Sequence, residues 1–266
     1  MYILKREMKR NSISFYLWTL SLAVYIFFVM SVFPTMAKNS ANTEQYIKSM
    51  PPAMLKMFGL DKISMTTILG YFGTEAGIVL LLGAGIYCML LGTGMLSKED
   101  DDKTIEFLLS KPITRTQMIT EKVLCYFIYI FLQNLILFVV SYFSFEKFKT
   151  EGYSLNTLML LYIGFFLVEI TFANIGLIAS VFITKKKATT SLGMYFVIGM
   201  YFINMMAGLS KNLDFLKYVT PFKYADSVDI ITKNSLNASY IVILLIVNII
   251  AVSLTYIIYN RKNIGA

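Results

Sequence analysis

Residues 157–183 read TLMLLYIGFFLVEITFANIGLIASVFI, and Glu169 is the only charge among them. Between Glu151 and Lys185 the same acid is the only interruption in 33 residues. A helix needs roughly 20 mostly apolar residues to cross the hydrocarbon core of a bilayer. The run is continuously apolar rather than alternating, which favours a helix over a barrel strand. Outward from it the pattern recurs. There are 22 uncharged residues between Glu75 and Lys98, 23 between Lys122 and Glu146, and 23 between Lys187 and Lys211. Arg10 to Lys38 and Lys233 to Arg261 each enclose 27. The sequence therefore predicts an all-α polytopic membrane protein with six transmembrane helices, at about 14–36, 73–96, 120–144, 157–183, 188–209 and 238–260.

Composition agrees. Of 266 residues, 57% are hydrophobic and 15% charged, with a mean hydropathy of +0.65. So apolar a chain is neither disordered nor an ordinary soluble enzyme. It has no histidine, which removes the usual general base, metal ligand and near-neutral pH switch. Cys88 and Cys125 lie in apolar stretches outside any C-x-x-C motif and read as packing residues. The net charge of +8 is scattered between apolar runs, which points to lipid head groups and away from nucleic acid.

Six crossings put both termini on one side. With the N-terminus inside, 14 of the 24 basic residues fall on the cytoplasmic side, among them Lys185, Lys186 and Lys187 in one turn. The other 10 occupy longer outer loops, so the expectation is a cell-membrane protein with cytoplasmic termini. The first run is too long for a signal peptide and lacks a small-residue cleavage site. Residues 1–11 are expected to form a separate amphipathic helix along the interface. After Pro51-Pro52, AMLKMFGLDK reads as a turn and a short amphipathic helix in the first outer loop.

The segment 97–122, SKEDDDKTIEFLLSKPITRTQMITEK, carries 11 of the 40 charges in the chain. Asp102 suits an N-cap, and Ile105, Leu108 and Leu109 follow as an apolar stripe. Lys111 precedes Pro112, where the helix should stop, and Thr114 to Gln117 fits a capping box for the next helix. A short helix pinned between two spans and exposing apolar residues either packs on its own bundle or docks a partner. The run Glu99-Asp100-Asp101-Asp102 lacks the spaced oxygens and glycine of a calcium loop and reads as a solvated, helix-capping face.

This segment resembles the signature of type-2 ABC transporter permeases, in which an acidic stretch precedes a Thr-x-Glu-x-Leu-Leu-Ser-x-Pro-Ile-(Ser/Thr)-Arg core and a later lysine opens the third helix. Thr104, Glu106, Leu108, Leu109, Ser110, Pro112, Ile113, Thr114, Arg115 and Lys122 match it. Lys103 departs from it, where the family has glycine. The basic leader with Glu7, SMPPAMLKMFG and TPFKYADSVDII resemble the same class, so the likeness touches most of the chain.

The resemblance implies a single permease domain over 1–266, with a coupling helix in the loop 97–119 that docks on a separate ATPase subunit. It assigns ATPase coupling to Asp102, Thr104, Ile105, Glu106, Leu108, Leu109, Pro112 and Arg115. It also implies a second permease subunit, identical or a paralogue. The sequence has no G-x-x-x-x-G-K-[ST] loop, so this chain is not expected to be an enzyme or to hold a cofactor. ATP and Mg are expected on the partner.

Glu169 is the one acid deep within a span, where a carboxyl is costly and should face other helices or water. Asn174 lies about 140° further round the same helix. Glu169, Asn174 and Glu75 are candidates for a translocation path or dimer interface; the alternative for Glu169 is a buried interhelical hydrogen bond, and for Glu75 an interfacial position at the outer end of the second helix. Gly176, Ala179 and Ser180 give that helix a small-residue side, and glycines crowd the second helix. The leading functional expectation is an ATP-driven exporter subunit. The alternatives are an ion-coupled transporter or channel using Glu169, and a membrane anchor or sensor that moves nothing.

Overall fold

A computed structural model describes residues 2–101, 114–183, 185–209 and 211–262. The described residues contain no strand, and six helices are long and apolar enough to cross a membrane. In chain order the helices are α1 (Tyr2–Lys38), α2 (Ser40–Lys48), α3 (Pro52–Phe58), α4 (Ile68–Tyr71), α5 (Gly77–Asp101), α6 (Arg115–Phe148), α7 (Leu155–Phe182), α8 (Lys186–Leu209), α9 (Ser227–Lys233) and α10 (Ala238–Arg261). A π-helical turn, Phe72–Ala76, joins α4 to α5, and the two helices form the second span. The other spans are α1, α6, α7, α8 and α10.

The centre of the bundle is the pair formed by the second and fourth spans. Of their most apolar stretches 67% and 61% are buried, against 17% for each of the fifth and sixth. The reason lies in the glycines. A Cβ placed on Gly92 would stand 2.0 Å from the carbonyl oxygen of Ala173, and one on Gly176 would stand 2.6 Å from that of Met89. Backbone meets backbone at both points, and only residues without a side chain permit it. Around this pair α1 packs on α6, α8 on α5 and α10 on α7. The outward faces of α1, α8 and α10 present Leu20, Phe202 and Ile249, apolar groups suited to lipid.

Residues 2–13 correct the expectation of a separate interfacial helix, because α1 is one unbroken helix of 37 residues. Its buried residues are Ile3, Glu7, Asn11, Phe15, Thr19, Leu22, Ile26, Met30 and Phe33, spaced by three or four throughout. This stripe crosses the apparent boundary without a change of phase and keeps the basic leader in register with the span. The Tyr129 hydroxyl donates to the carbonyl of Met8 and holds that leader against α6.

At the opposite end of the bundle the connections are short helical pieces. Pro52 opens α3, and Gly59 closes it in the left-handed region at φ 69°. A Cβ at Gly59 would meet Val228 Cγ2 at 2.4 Å, so α3 abuts α9. Two 3-10 turns, Lys211–Tyr218 and Pro221–Ala225, lead into α9, whose first amides at Val228 and Asp229 donate to the Asp226 carboxylate.

Candidate coupling site

The expected coupling residues Asp102, Thr104, Ile105, Glu106, Leu108, Leu109 and Pro112 lie outside the described residues. The two ends of their segment are described, and both are anchored inside the chain.

On the downstream side, Thr114 caps α6. Its hydroxyl oxygen accepts from the Gln117 amide at 3.1 Å. The capping box is only half made, because the Gln117 side chain donates to Glu121 at 3.0 Å. Glu121 in turn accepts from the Leu4 amide at 2.9 Å, satisfying an orphan donor in the first turn of α1. Arg115, expected at the docking surface, is engaged within its own chain. Its Nη1 donates to the carbonyls of Tyr259, Asn260 and Lys262, at 3.3, 3.3 and 2.6 Å. These carbonyls end α10, where a cation is favoured by unpaired acceptors and by the helix dipole. The start of the third span is thereby tied to the end of the sixth.

On the upstream side, Glu99 corrects the reading of a solvated acidic face. It is fully buried. Both of its oxygens accept from Arg6 Nη2, at 3.0 and 2.9 Å, and Arg10 Nη1 lies 3.5 Å away. Lys122, also fully buried, donates to Glu99 at 3.1 Å, to Glu7 at 3.4 Å and to the carbonyl of Met95. Asn11 donates to Glu7 and accepts from Lys98 at 2.8 Å. Buried charges survive only when paired and hydrogen-bonded, and here each acid has a cation on a different helix. The cluster joins α1, the end of α5 and the start of α6. Glu7, Asn11 and Arg6 were not singled out from the sequence as site residues. The signal available was Glu7, one acid among basic neighbours.

The mid-span polar residues form a second network. Glu169 is 2% exposed and accepts from the Asn134 amide at 3.3 Å. Asn174 accepts from the Tyr126 hydroxyl and donates to Asn248 at 2.6 Å. Asn248 donates to Thr171 at 2.9 Å and to its own helix at Leu244. The third, fourth and sixth spans are linked by these bonds. Glu169 and Asn174 are therefore both inside this chain's own bundle, facing neighbouring helices. Glu75 is apart from them, exposed on the π-helical turn, with its backbone carbonyl accepting from Tyr25 at 3.1 Å.

Among the described residues no group of His, Cys, Asp or Glu could hold a metal ion. The residues that flank 102–113 are thus fixed to α1 through Glu99 and to the end of α10 through Arg115. No curated protein matches the sequence. The profile described as ABC-2 family transporter protein matches residues 1–264, and the chain belongs to that family of multi-pass membrane proteins.

Proposed function

We propose that this chain is the membrane-spanning subunit of an ATP-driven exporter and that it works through a separate ATPase. The segment around 102–111 docks on that partner, which binds ATP and Mg. A second permease subunit, identical or paralogous, completes the translocation path. The end of the bundle that carries the termini is cytoplasmic.

One observation carries this reading: both ends of the loop are fastened to distant helices by charged groups. Glu99 is held by Arg6, Arg10 and Lys122, and Arg115 holds the end of α10. A displacement of the loop would reach α1 through Glu99 and α10 through Arg115. Family membership supports the same reading, and so does the lack of a P-loop in the sequence. A free loop would be fastened at neither end.

The test is co-purification of the tagged full chain from its native membrane, with ATPase activity as the readout. A nucleotide-binding subunit should come down with it, and Glu106→Lys should abolish stimulation of ATP hydrolysis while sparing membrane insertion. Recovery of the chain with no ATPase would sink the proposal.

A further inference from the structure

Three polar side chains of the core belong to neither of the hydrogen-bonded networks. They are Thr19 of α1, Tyr87 of α5 and Gln133 of α6, which are 5%, 1% and 0% exposed. The hydroxyls of Thr19 and Tyr87 and both ends of the Gln133 amide have no hydrogen-bond partner among the described residues. Gln133 adjoins Asn134, which bonds to Glu169, so it lies at mid-span depth. A buried amide left unbonded has given up its hydration for nothing, and lipid offers no repair. Native interiors hold few such groups.

The three converge on one gap. α1 and α6 run in parallel, since Glu7 pairs with Lys122 near their starts and Phe27 meets Phe148 near their ends. Between these points Phe15 packs on Tyr129 with ring centroids 4.9 Å apart. Thr19 and Gln133 each follow four residues later, one turn along the same faces, which sets them opposite each other. Tyr87 enters from the antiparallel α5. Its ring lies 6.1 Å from that of Trp18, the neighbour of Thr19, and its hydroxyl is within electrostatic reach of Cys125 and Tyr129 on α6.

The chemistry of these groups selects what they hold. Gln133 Nε2 can only donate and its Oε1 can only accept, while the two hydroxyls do both. None of the three side chains carries a charge, so neither a cation nor an anion finds compensation there. Water donates, accepts and is small, and buried water typically makes about three bonds to groups of this kind. Polar groups continue towards the termini, where Tyr129 donates to the Met8 carbonyl and Asn11 accepts from Lys98.

We propose that ordered water occupies the gap between Thr19, Tyr87 and Gln133 and bridges the first three spans at mid-membrane. The inference concerns this chain alone and stands whether or not an ATPase drives it.

The test is radiolytic labelling of the full chain in lipid nanodiscs. Brief X-ray pulses split bound water, and the hydroxyl radicals oxidise the side chains beside it, which mass spectrometry reads. Tyr126 and Tyr162 are the internal controls. Both are buried, but their hydroxyls are bonded to Asn174 and to Ser141 with the Leu137 carbonyl. Tyr87 should be oxidised several-fold faster than either. Gln133→Leu should bring Tyr87 down to the control rate, and the isosteric Thr19→Val should lower it part of the way, with Tyr162 unchanged in both. Should Gln133→Leu fail to fold, the unaltered chain and Thr19→Val still decide. Tyr87 labelled no faster than the controls means a dry gap and overturns the proposal, as does a rate indifferent to the substitutions. Suppression of the label by sodium chloride but not by choline chloride overturns it too, because a cation would then be the occupant.

Discussion

Two polar clusters sit inside this bundle, and they are built differently. The one near the termini is ionic, with Lys122 between Glu7 and Glu99 and with Arg6 and Arg10 behind Glu99. The one at mid-span consists mainly of amides and hydroxyls, with Glu169 as its only acid. Breaking a buried ion pair leaves an uncompensated charge, whereas losing an interhelical amide bond leaves a neutral group that finds other partners. The ionic cluster is therefore a fixed joint, and the amide cluster is moderate glue. The joint lies beside the loop where force is proposed to enter.

The largest effect should come from opening the joint. Lys122→Met takes the buried cation from between Glu7 and Glu99, of which Glu99 keeps Arg6 and Arg10 while Glu7 is left uncompensated, and should cost about 3–5 kcal/mol, read as a large drop in the thermal midpoint of the detergent-purified chain. The triple variant Glu7→Gln/Glu99→Gln/Lys122→Met should recover most of that loss. If the triple variant is as unstable as the single one, charge pairing is not what holds the joint.

Next should come Gly92→Ala, whose new methyl must push the second and fourth spans apart. Overpacking of this kind costs about 1–3 kcal/mol, checked by the same thermal measurement. A larger loss than that of Lys122→Met would make the glycine contact, rather than the ionic joint, the dominant constraint.

Asn248→Leu should cost less, about 0.6–2 kcal/mol, because it removes bonds to Asn174 and Thr171 that are individually weak. A loss equal to that of Lys122→Met would erase the distinction between the clusters. The smallest effect is expected from Glu169→Gln, which keeps an acceptor for Asn134 and should change stability by less than about 1 kcal/mol. Its transport, measured in vesicles across pH, should keep the profile of the unaltered chain. A displaced profile would reassign Glu169 from glue to carrier.

The six spans were legible because each is a long apolar run, broken by a charge only at Glu169 in the fourth, and hydrophobic length is a local property. The start of the first span was not. Glu7 and Asn11 break the apolar count, yet both lie on the buried stripe of α1, paired by groups that the count does not see. Glu99 was hidden for the same reason: an acid next to three others reads as solvated until Arg6, 93 positions away, is brought onto it. The Thr114 cap was visible because it needs only three residues of context. For Glu169 and Asn174, helix arithmetic placed them on different faces. They accordingly bond differently, Glu169 to Asn134 and Asn174 to Tyr126 and Asn248. No local pattern announced which partners those would be.

The unbroken first helix has a geometric consequence. At 1.5 Å per residue, its 37 residues make a beam roughly 55 Å long, well beyond the thickness of the hydrocarbon layer. Its foot is clamped in the ionic joint and its head leads into α2 on the opposite surface. A beam of that length swings its free tip by about 10 Å for every ten degrees of tilt. Small rotations at one face of the bilayer are thereby magnified at the other, with no hinge needed along the way.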